Sequence, residues 1–200
     1  RPSDLDHLIT RAAALPAPRL RRAEQLIDRL IALGLSKYNP GGDIPPPDVP
    51  DGAEVVLVPG QVEDDASILK GADRVRDNAT LLRTARDLNP DAFLIYKPHP
   101  DVGAGLRDGA IDPDLVSRFA DATSDADPAR LLSVTTRVVT ITSGLGFEAL
   151  IRGIPVTTLG APFYAGWGLT DDRGTPPAHR TARPSLAALV HAALIAYPRY

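Results

Sequence analysis

The sequence has no cysteine, no methionine and few aromatic residues, which make up 5% of the chain. Without cysteine, disulfide bonds and thiolate metal ligands are excluded, and the composition favours a cytoplasmic protein. No apolar run approaches the roughly 20 residues of a membrane-spanning helix, so we do not expect an integral membrane protein. Because the chain starts on an arginine inside a helix-like pattern, we expect it to be part of a longer protein.

A strong charge of either sign is also missing, since 22 Lys and Arg residues face 25 Asp and Glu residues and the net charge is −3. The basic residues are spread along the chain, whereas duplex binding requires a basic patch. We therefore predict no nucleic-acid partner. What the chain does contain is material for a core, because 44% of its 200 residues are hydrophobic.

The first quarter of the chain differs from the rest. Apolar residues at helical spacing predict helices over 3–15 and 19–33. Five prolines and three glycines in 36–52 predict an extended linker. We therefore divide the chain into a helical extension with a Pro/Gly-rich linker, 1–52, and a second unit, 53–200.

The second unit alternates apolar strands with helices. The predicted strands lie within 54–60, 91–100, 137–143 and 155–160. The predicted helices lie within 78–88, 112–120, 127–135, 146–153 and 184–197. Such alternation, with strands that are nearly all apolar, is typical of a parallel sheet covered on both faces. We predict an α/β fold, a Rossmann-like parallel sheet with helices on both faces and a helical N-terminal extension.

Unusual polar or aromatic stretches follow all four predicted strands. They read GQVEDDAS (60–67), KPHP (97–100), TSGLGFEAL (142–150) and GAPFYAGWGLTDDR (160–173). In an open parallel sheet the ligand binds at the carboxyl ends of the strands. We therefore expect these four segments to meet at one ligand-binding edge.

The third of these segments has the features of an anion site. Thr142, Ser143, Gly144 and Gly146 are predicted to form a loop of small residues before a helix that starts near Phe147. Backbone N–H groups and the positive end of the helix dipole suit a phosphate, and the hydroxyls add donors. The pattern matches neither a Walker loop nor G-x-G-x-x-G, and plain turn chemistry is the competing interpretation.

Three charged or titratable side chains belong to the same edge. His99, next to Lys97, is interpreted either as a phosphate or hydroxyl donor or as a histidine held by backbone bonds. Glu148, in the first turn of the predicted helix, is interpreted either as an acceptor for ribose hydroxyls or as a surface carboxylate favoured by the dipole.

Acidic and aromatic residues complete the set of candidates. Glu63, Asp64 and Asp65 have no further ligand at metal-binding spacing, so we interpret them as a solvated loop and predict no metal site. We interpret Asp171 and Asp172 in the same way, as solvated acidic residues and not as a metal site. The stretch PFYAGWG (162–168) is interpreted either as core or as an aromatic surface for stacking of a base or sugar, and we favour the stacking surface.

Taken in order, these motifs resemble a known family. The run of GQVEDDAS, YKPHPDV (96–102), TSGLGFEALIRG (142–153), PVTTLGAPFYAGWGLTDDR (155–173) and YPRY (197–200) resembles the bacterial capsule polysaccharide synthesis family. It is most similar to the β-Kdo transferase modules of the KpsC type in that family. The likeness covers residues 54–200, with the motifs in the same order.

The resemblance implies the C-terminal, donor-binding half of a GT-B glycosyltransferase. Such an enzyme uses CMP-Kdo as its nucleotide-sugar donor, retains the β-configuration, and needs no cofactor and no metal. Its active site lies between two Rossmann-like halves, so the isolated chain is expected to bind the donor without catalysing transfer. The rest of the enzyme would bring a glycolipid acceptor, and the location implied is cytoplasmic, peripheral at the inner membrane.

The resemblance also implies roles for individual residues. His99 and Pro100 match a His-Pro motif expected near the cytidine and its phosphate. Ser143 and its neighbours would bind the phosphate, Glu148 the ribose, and Lys97 would neutralise the phosphate or the Kdo carboxylate. Four candidates for assisting the transfer, with no nucleophile assigned among them, are Gln61, Glu63, Asp64 and Asp65.

Two other functions fit the same fold. One is a UDP-sugar enzyme of the GT-B or epimerase type, which would prefer UDP to CMP. The other is a non-catalytic module of a capsule assembly complex, in which the site residues would have no effect on ligand binding.

Overall fold

The computed structural model describes residues 1–37 and 44–198. Part of the predicted linker, 38–43, and the last two residues of the YPRY motif, 199–200, lie outside the described residues. No helix in the part of the chain that the structure describes is long and apolar enough to cross a membrane.

Helices and strands alternate through most of the chain. The helices are α1 (Asp4–Ala12), α2 (Ala17–Ala32), α3 (Ala66–Gly71), α4 (Asn78–Leu88), α5 (Pro100–Gly103), α6 (Pro113–Phe119), α7 (Pro128–Val134), α8 (Gly144–Ile151) and α9 (Leu186–Val190), which continues as a π-helix (His191–Ala196). The strands are β1 (Val55–Pro59), β2 (Phe93–Lys97), β3 (Ala122–Thr123), β4 (Arg137–Thr140), β5 (Val156–Thr158) and β6 (Asp171–Asp172).

The strands form one parallel sheet in the order β3-β2-β1-β4-β5-β6. This is the strand order of the Rossmann fold, and it reverses direction between β1 and β4. The predicted parallel α/β fold is confirmed. The two strands that the sequence did not predict, β3 and β6, have two residues each and lie at the sheet edges, so they carry no apolar pattern.

Both faces of the sheet are covered, as predicted. In β1, Val55 and Leu57 belong to one hydrophobic core, and Val56 and Val58 belong to the other. Successive side chains of a strand point to opposite faces, so a strand that is apolar throughout supplies both cores. Helices α3, α4 and α6 contribute to the second core, and the remaining larger helices contribute to the first.

The N-terminal helices pack against the C-terminal ones. Ile9 of α1 and Ala23 of α2 are fully buried, at 0% exposure, and belong to the same core as α9. Contacts join α1 to the π-helix and α2 to α9. The predicted helical extension is therefore present and lies on the first face of the sheet. The division of the chain at residues 52 and 53 stays a prediction.

One helix start at the ligand edge differs from the prediction, and two short helices there were not predicted. Helix α8 begins at Gly144 rather than near Phe147, because Ser143 caps it by accepting a hydrogen bond from the N–H of Leu145. Helices α3 and α5 were not predicted, since their six and four residues are too few to show a periodic pattern.

Candidate functional site

A cavity of about 390 Å³ lies at the carboxyl edge of β1, β2 and β4. This is the side of the sheet, next to the point where the strand order reverses, at which Rossmann folds bind ligands. Most of the predicted substrate-binding residues line it. They are Lys97, His99, Pro100, Thr142, Ser143, Gly144 and Glu148.

Two other cavities are larger but carry less suitable chemistry. One, of about 420 Å³, lies near Glu54 and Arg137, which belong to the amino ends of β1 and β4. The other, of about 540 Å³, is a mainly apolar groove beside Tyr96, α6 and β3. Neither brings cations and hydroxyls together at the carboxyl edge, so the 390 Å³ cavity is the candidate site.

Lys97 places a cation at the end of β2. Its Nζ donates a hydrogen bond to the carbonyl of Ala126 over 3.0 Å. Burial lowers the pKa of Lys97, while the negative charges of Asp125 and Asp127 oppose that shift. A lysine ammonium has three N–H donors, so two remain after the bond to Ala126.

His99 lines the cavity and also caps α5. Its Nδ1 accepts a hydrogen bond from the backbone N–H of Asp101 over 3.2 Å. The proton of the neutral imidazole is therefore assigned to Nε2, which makes that atom a donor. Burial lowers the pKa of His99, and the positive charge of Lys37 adds to the effect. His99 is therefore held by a backbone bond and also lines the cavity, and its role as a phosphate or hydroxyl donor stays a prediction.

The amino end of α8 forms the wall facing Lys97 and His99. Ser143 lines the cavity, and so does the exposed Gly144. Gly146 does not line it: a Cβ at this position would collide with the hydroxyl of Tyr164. Gly146 is therefore required by packing, whereas no atom of the described residues lies within 4 Å of a Cβ added at Gly144.

Gln61 links the ends of β1 and β4. Its side chain is buried, its Nε2 donates to Oγ1 of Thr142 over 2.8 Å, and its Oε1 accepts from the N–H of Thr142 over 2.9 Å. Its backbone N–H donates to Oδ1 of Asn78. The buried amide therefore fixes Thr142, which lines the cavity beside it.

The acidic candidates after β1 are also engaged by the protein. Oε1 of Glu63 accepts the N–H of Asn78 at the start of α4 over 2.8 Å, and Asp64 forms an exposed ion pair with Arg107 at 2.7 Å. Asp65 caps α3, and the hydrogen bonds it accepts there lower its pKa. Only Asp65 of the three lines the cavity. Among residues 1–37 and 44–198, no group of three or more His, Asp or Glu side chains is arranged to hold a metal ion.

Glu148 connects the cavity to the segment after α2. Its Oε1 accepts a hydrogen bond from the backbone N–H of Lys37 over 3.0 Å. Its Oε2 is buried and has no hydrogen-bond donor among the described residues. Arg152, directly after the last residue of α8, donates to the carbonyl of Leu35 over 2.9 Å. The segment 35–37, defined here as the strap, is thus held against α8.

The aromatic stretch behaves differently from the prediction. Tyr164 and Trp167 are 0% and 1% exposed, so the prediction that they form a stacking surface is wrong. The Tyr164 hydroxyl donates to the carbonyl of Ser143 over 2.5 Å, and Trp167 Nε1 donates to the carbonyl of Phe163 over 2.8 Å. Only Phe163 of the three lines the cavity. The other two are core residues that support α8.

A buried ion pair anchors the aromatic stretch to the N-terminal helices. Arg180 donates to Oδ1 of Asp6 in α1 over 3.0 Å, and to the carbonyls of Pro162 and Ala165 over 2.6 and 2.8 Å. Its guanidinium lies 5.5 Å from the ring centroid of Trp167. Burial acts to raise the pKa of Asp6, but hydrogen bonds from Ser3 and the charge of Arg180 outweigh it, so the pKa of Asp6 is lowered.

Several residues of this region were missed from the sequence. Three of them, Lys37, Arg107 and Ser67, line the cavity. The fourth, Arg180, donates a hydrogen bond to the carbonyl of Pro162, next to the cavity residue Phe163. Arg180 lies in a loop without periodicity and carries no local signal. Lys37 does carry one, because lysine is scarce in this chain.

Comparison with known proteins identifies the family. The family described as "Capsule polysaccharide biosynthesis protein" matches residues 41–200. The chain is 47% identical over 203 residues to the lipopolysaccharide-processing protein LpsZ of Rhizobium meliloti. This alignment covers 100% of this chain and 46% of LpsZ. It is 50% identical over 168 residues to the capsule polysaccharide modification protein LipA of Neisseria meningitidis serogroup A, covering 83% of this chain and 23% of LipA. The chain therefore spans less than half the length of these relatives.

Solved structures give the same result. The β-Kdo 2,7 transferase of Thermosulfurimonas dismutans KpsC matches with a TM-score of 0.82 and 38% identity, over 100% of this chain and 61% of that one. The β-Kdo 2,4 transferase of the same organism's KpsC matches with a TM-score of 0.85 and 32% identity. This match covers 100% of this chain and 62% of the transferase chain. The likeness thus includes the N-terminal helices, so the limit of 54–200 set from the sequence was too narrow. Motifs, fold and relatives agree: the chain belongs to the capsule polysaccharide biosynthesis protein family, with the KpsC-type Kdo transferases as structural relatives.

Proposed function

We propose that this chain is the donor-binding portion of a retaining β-Kdo glycosyltransferase that acts in synthesis of the capsule lipid linker. The donor is CMP-Kdo, and it binds in the cavity at the carboxyl edge of the sheet. The fold is one half of a GT-B enzyme, and groups outside this chain complete the active site. Support comes from the family, from the Kdo transferases of similar structure, and from the chemistry of the cavity.

One observation carries the proposal most directly. The same cavity brings together the ammonium of Lys97, the hydroxyl of Ser143 at the amino end of α8, and the carboxylate of Glu148. A cation and a helix amino terminus suit a phosphate, and a carboxylate suits the paired hydroxyls of a ribose.

Glu148 retains the capacity that a ribose would use. Its Oε2 is buried without a donor among the described residues, and an unmatched buried acceptor costs roughly 1–3 kcal/mol. A ribose hydroxyl that donates to this oxygen would remove the penalty, and it would have to displace the groups that cover the oxygen in this structure. We therefore assign the ribose to Glu148 and the phosphate to Ser143, Gly144 and Lys97.

His99 and Pro100 form the wall for the cytidine. Because Nδ1 of His99 accepts the N–H of Asp101, its Nε2–H is a donor at neutral pH. A donor with a fixed tautomer discriminates between ligands that place an acceptor there and ligands that do not. The site would prefer CMP if this donor meets N3 of the base, which is an acceptor in cytosine and carries a hydrogen in uracil.

The chain binds the donor in this proposal but does not catalyse transfer alone. Gln61 and Glu63 hold parts of the fold in place, and Asp64 pairs with Arg107. We assign none of them as a nucleophile. The reaction requires no cofactor and no metal in this half. The rest of the enzyme presents a glycolipid acceptor at the cytoplasmic surface of the inner membrane.

Calorimetric titration with CMP and UDP tests the proposal. We expect CMP to bind, UDP to bind more weakly, and His99→Asn to weaken CMP binding by about tenfold, equivalent to about 1.4 kcal/mol. Asparagine can cap α5 as histidine does, so this variant removes the imidazole and keeps the cap. The exposed His7 of α1 provides the control, His7→Ala, with unchanged binding.

The alternatives give other results. A preference for UDP would favour a UDP-sugar enzyme. Absence of binding to either nucleotide, with the fold intact by circular dichroism, would contradict the donor-binding role and favour a non-catalytic module.

A further inference from the structure

The chain uses lysine very rarely, and mostly at one place. Its 22 basic residues include three lysines, Lys37, Lys70 and Lys97. Two of the three, Lys37 and Lys97, line the same cavity, although they are 60 positions apart in sequence and lie on different elements. A lysine ammonium is a compact point charge with three rotatable donors, whereas a guanidinium presents a rigid planar fork. The pairing indicates a cavity built to hold negative charge at two positions.

The strap that carries Lys37 has a defined position. Its two anchors are the bonds from Arg152 to the carbonyl of Leu35 and from the N–H of Lys37 to Glu148. The anchors are Glu148 in α8 and Arg152 directly after its last residue, and Ser36 and Lys37 form part of the cavity wall. A residue outside the sheet therefore completes the binding site.

The charge of Lys37 acts across the cavity. Hydrogen bonds from Ser67 are the main reason that the pKa of Asp65 is lowered, and the charges of Arg107 and Lys37 contribute to the same shift. Asp65 lines the cavity in the segment after β1, and the sugar of the donor is placed on this side of the cavity in the proposal below. The ammonium of Lys37 is thus within electrostatic reach of the sugar region as well as of His99.

We propose that Lys37 binds the carboxylate of the acidic sugar in the nucleotide-sugar donor. The proposal rests on the proposed function above, and it divides the two anions of the donor between the two lysines. Lys97 and the amino end of α8 hold the phosphate, and Lys37, placed by the strap, holds the carboxylate. Lys37 would then be the residue that distinguishes an acidic sugar from a neutral one.

The test compares two ligands that differ by the sugar. CMP carries the phosphate alone, and freshly prepared CMP-Kdo carries the phosphate and the carboxylate. Calorimetric dissociation constants are measured for the unaltered chain, for Lys37→Ala and for Lys37→Arg. We expect Lys37→Ala to weaken CMP-Kdo binding by about tenfold or more, as for loss of a charged hydrogen bond, and CMP binding by less than about twofold. Lys37→Arg keeps the charge, so we expect its dissociation constant for CMP-Kdo to lie between those of the unaltered chain and Lys37→Ala.

A matched control uses the third lysine. Lys70 lies in the last turn of α3, is exposed and does not line the cavity, so Lys70→Ala is expected to leave both constants unchanged. Thermal melting of each variant confirms that the fold is retained. Unchanged melting with altered CMP-Kdo binding excludes a purely structural effect.

The outcomes separate the two proposals. Equal weakening of CMP and CMP-Kdo by Lys37→Ala, or no weakening of either, would overturn the carboxylate role while leaving the donor-binding function standing. Failure of the unaltered chain to bind both ligands would overturn the donor-binding function and the role of Lys37 with it.

Discussion

Two polar segments meet at the carboxyl edge of the sheet and use their side chains in opposite ways. In the segment after β1, 61–65, the polar groups bond mainly to the protein: Gln61 to Thr142, and Glu63 to the start of α4. In the cavity wall formed by 97–99 and 143–148, Lys97 has two further donors and one oxygen of Glu148 has no donor among the described residues.

The contrast shows what distinguishes a supporting residue from a binding residue. Both segments follow buried strands and both are rich in polar residues, so their sequences look equally functional. The difference is the hydrogen-bonding capacity that remains after the protein's own bonds are formed. By that measure we expect the first segment to build the site, and we propose that the second contacts the ligand.

Removing the amide of Gln61 is the largest perturbation of the supporting segment. Gln61→Ala leaves the buried N–H of Thr142 without its acceptor and removes the donor to the Thr142 hydroxyl, and we expect a loss of about 2–3 kcal/mol in the free energy of unfolding. Urea denaturation measures it. Gln25 is exposed on α2, so Gln25→Ala is the control and should change stability by less than about 0.5 kcal/mol. A loss as small as the control's would contradict the supporting role.

Ser143 tests the binding segment. Ser143→Gly removes the hydroxyl from the cavity while glycine remains an acceptable N-cap, so stability should fall by only a few tenths of a kcal/mol. We expect CMP affinity to fall by about tenfold, or about 1.4 kcal/mol. Ser185 caps α9 and is absent from the cavity lining, which makes Ser185→Gly the matched control with unchanged affinity. If both variants bound CMP equally well, Ser143 would not contact the phosphate.

Glu63 provides the reverse test, because its removal should reduce stability and leave CMP affinity unchanged. Glu63→Ala removes the acceptor for the N–H of Asn78, and we expect stability to fall by about 1 kcal/mol with CMP affinity unchanged. Glu24 is exposed, so Glu24→Ala is the control and is expected to change neither stability nor CMP affinity. A fall in CMP affinity without a fall in stability would place Glu63 among the binding residues.

The protonation of His99 gives the smallest effect. Because burial lowers its pKa, we expect its imidazole NMR signals to titrate with a midpoint below the ordinary value of 6.5. The unfolded chain then binds the proton more tightly than the folded chain, so this residue lowers stability as the pH falls below about 6.5. His99→Asn should remove that part of the pH dependence. A midpoint above 6.5 would show that the charge of Asp101 outweighs burial.

The fold could be predicted from the sequence because its signals are local and strong. Strands such as 55–58 are apolar on both faces, and Ser143 and Ser185 mark helix starts by their capping chemistry. Strands β3 and β6 could not be predicted, since two residues show no period.

The site was only partly predictable because its contacts are long-range. The sequence indicated Lys97, His99 and Ser143, which follow strands directly. It did not reveal that Trp167 is covered by Arg180, or that Glu148 holds Lys37, 111 positions away. Such contacts depend on which elements become neighbours in the folded chain, and no local pattern encodes them.

An NMR titration of the ¹⁵N-labelled chain with CMP tests the central claim most directly, because it locates the binding surface residue by residue. We predict saturable amide shifts in 97–101, 143–148 and the strap, with smaller shifts after β1 and none in α6. Shifts that cluster around the apolar groove beside Tyr96 and β3, or that do not saturate at any position, would contradict the assignment of the nucleotide to the cavity between β2 and α8.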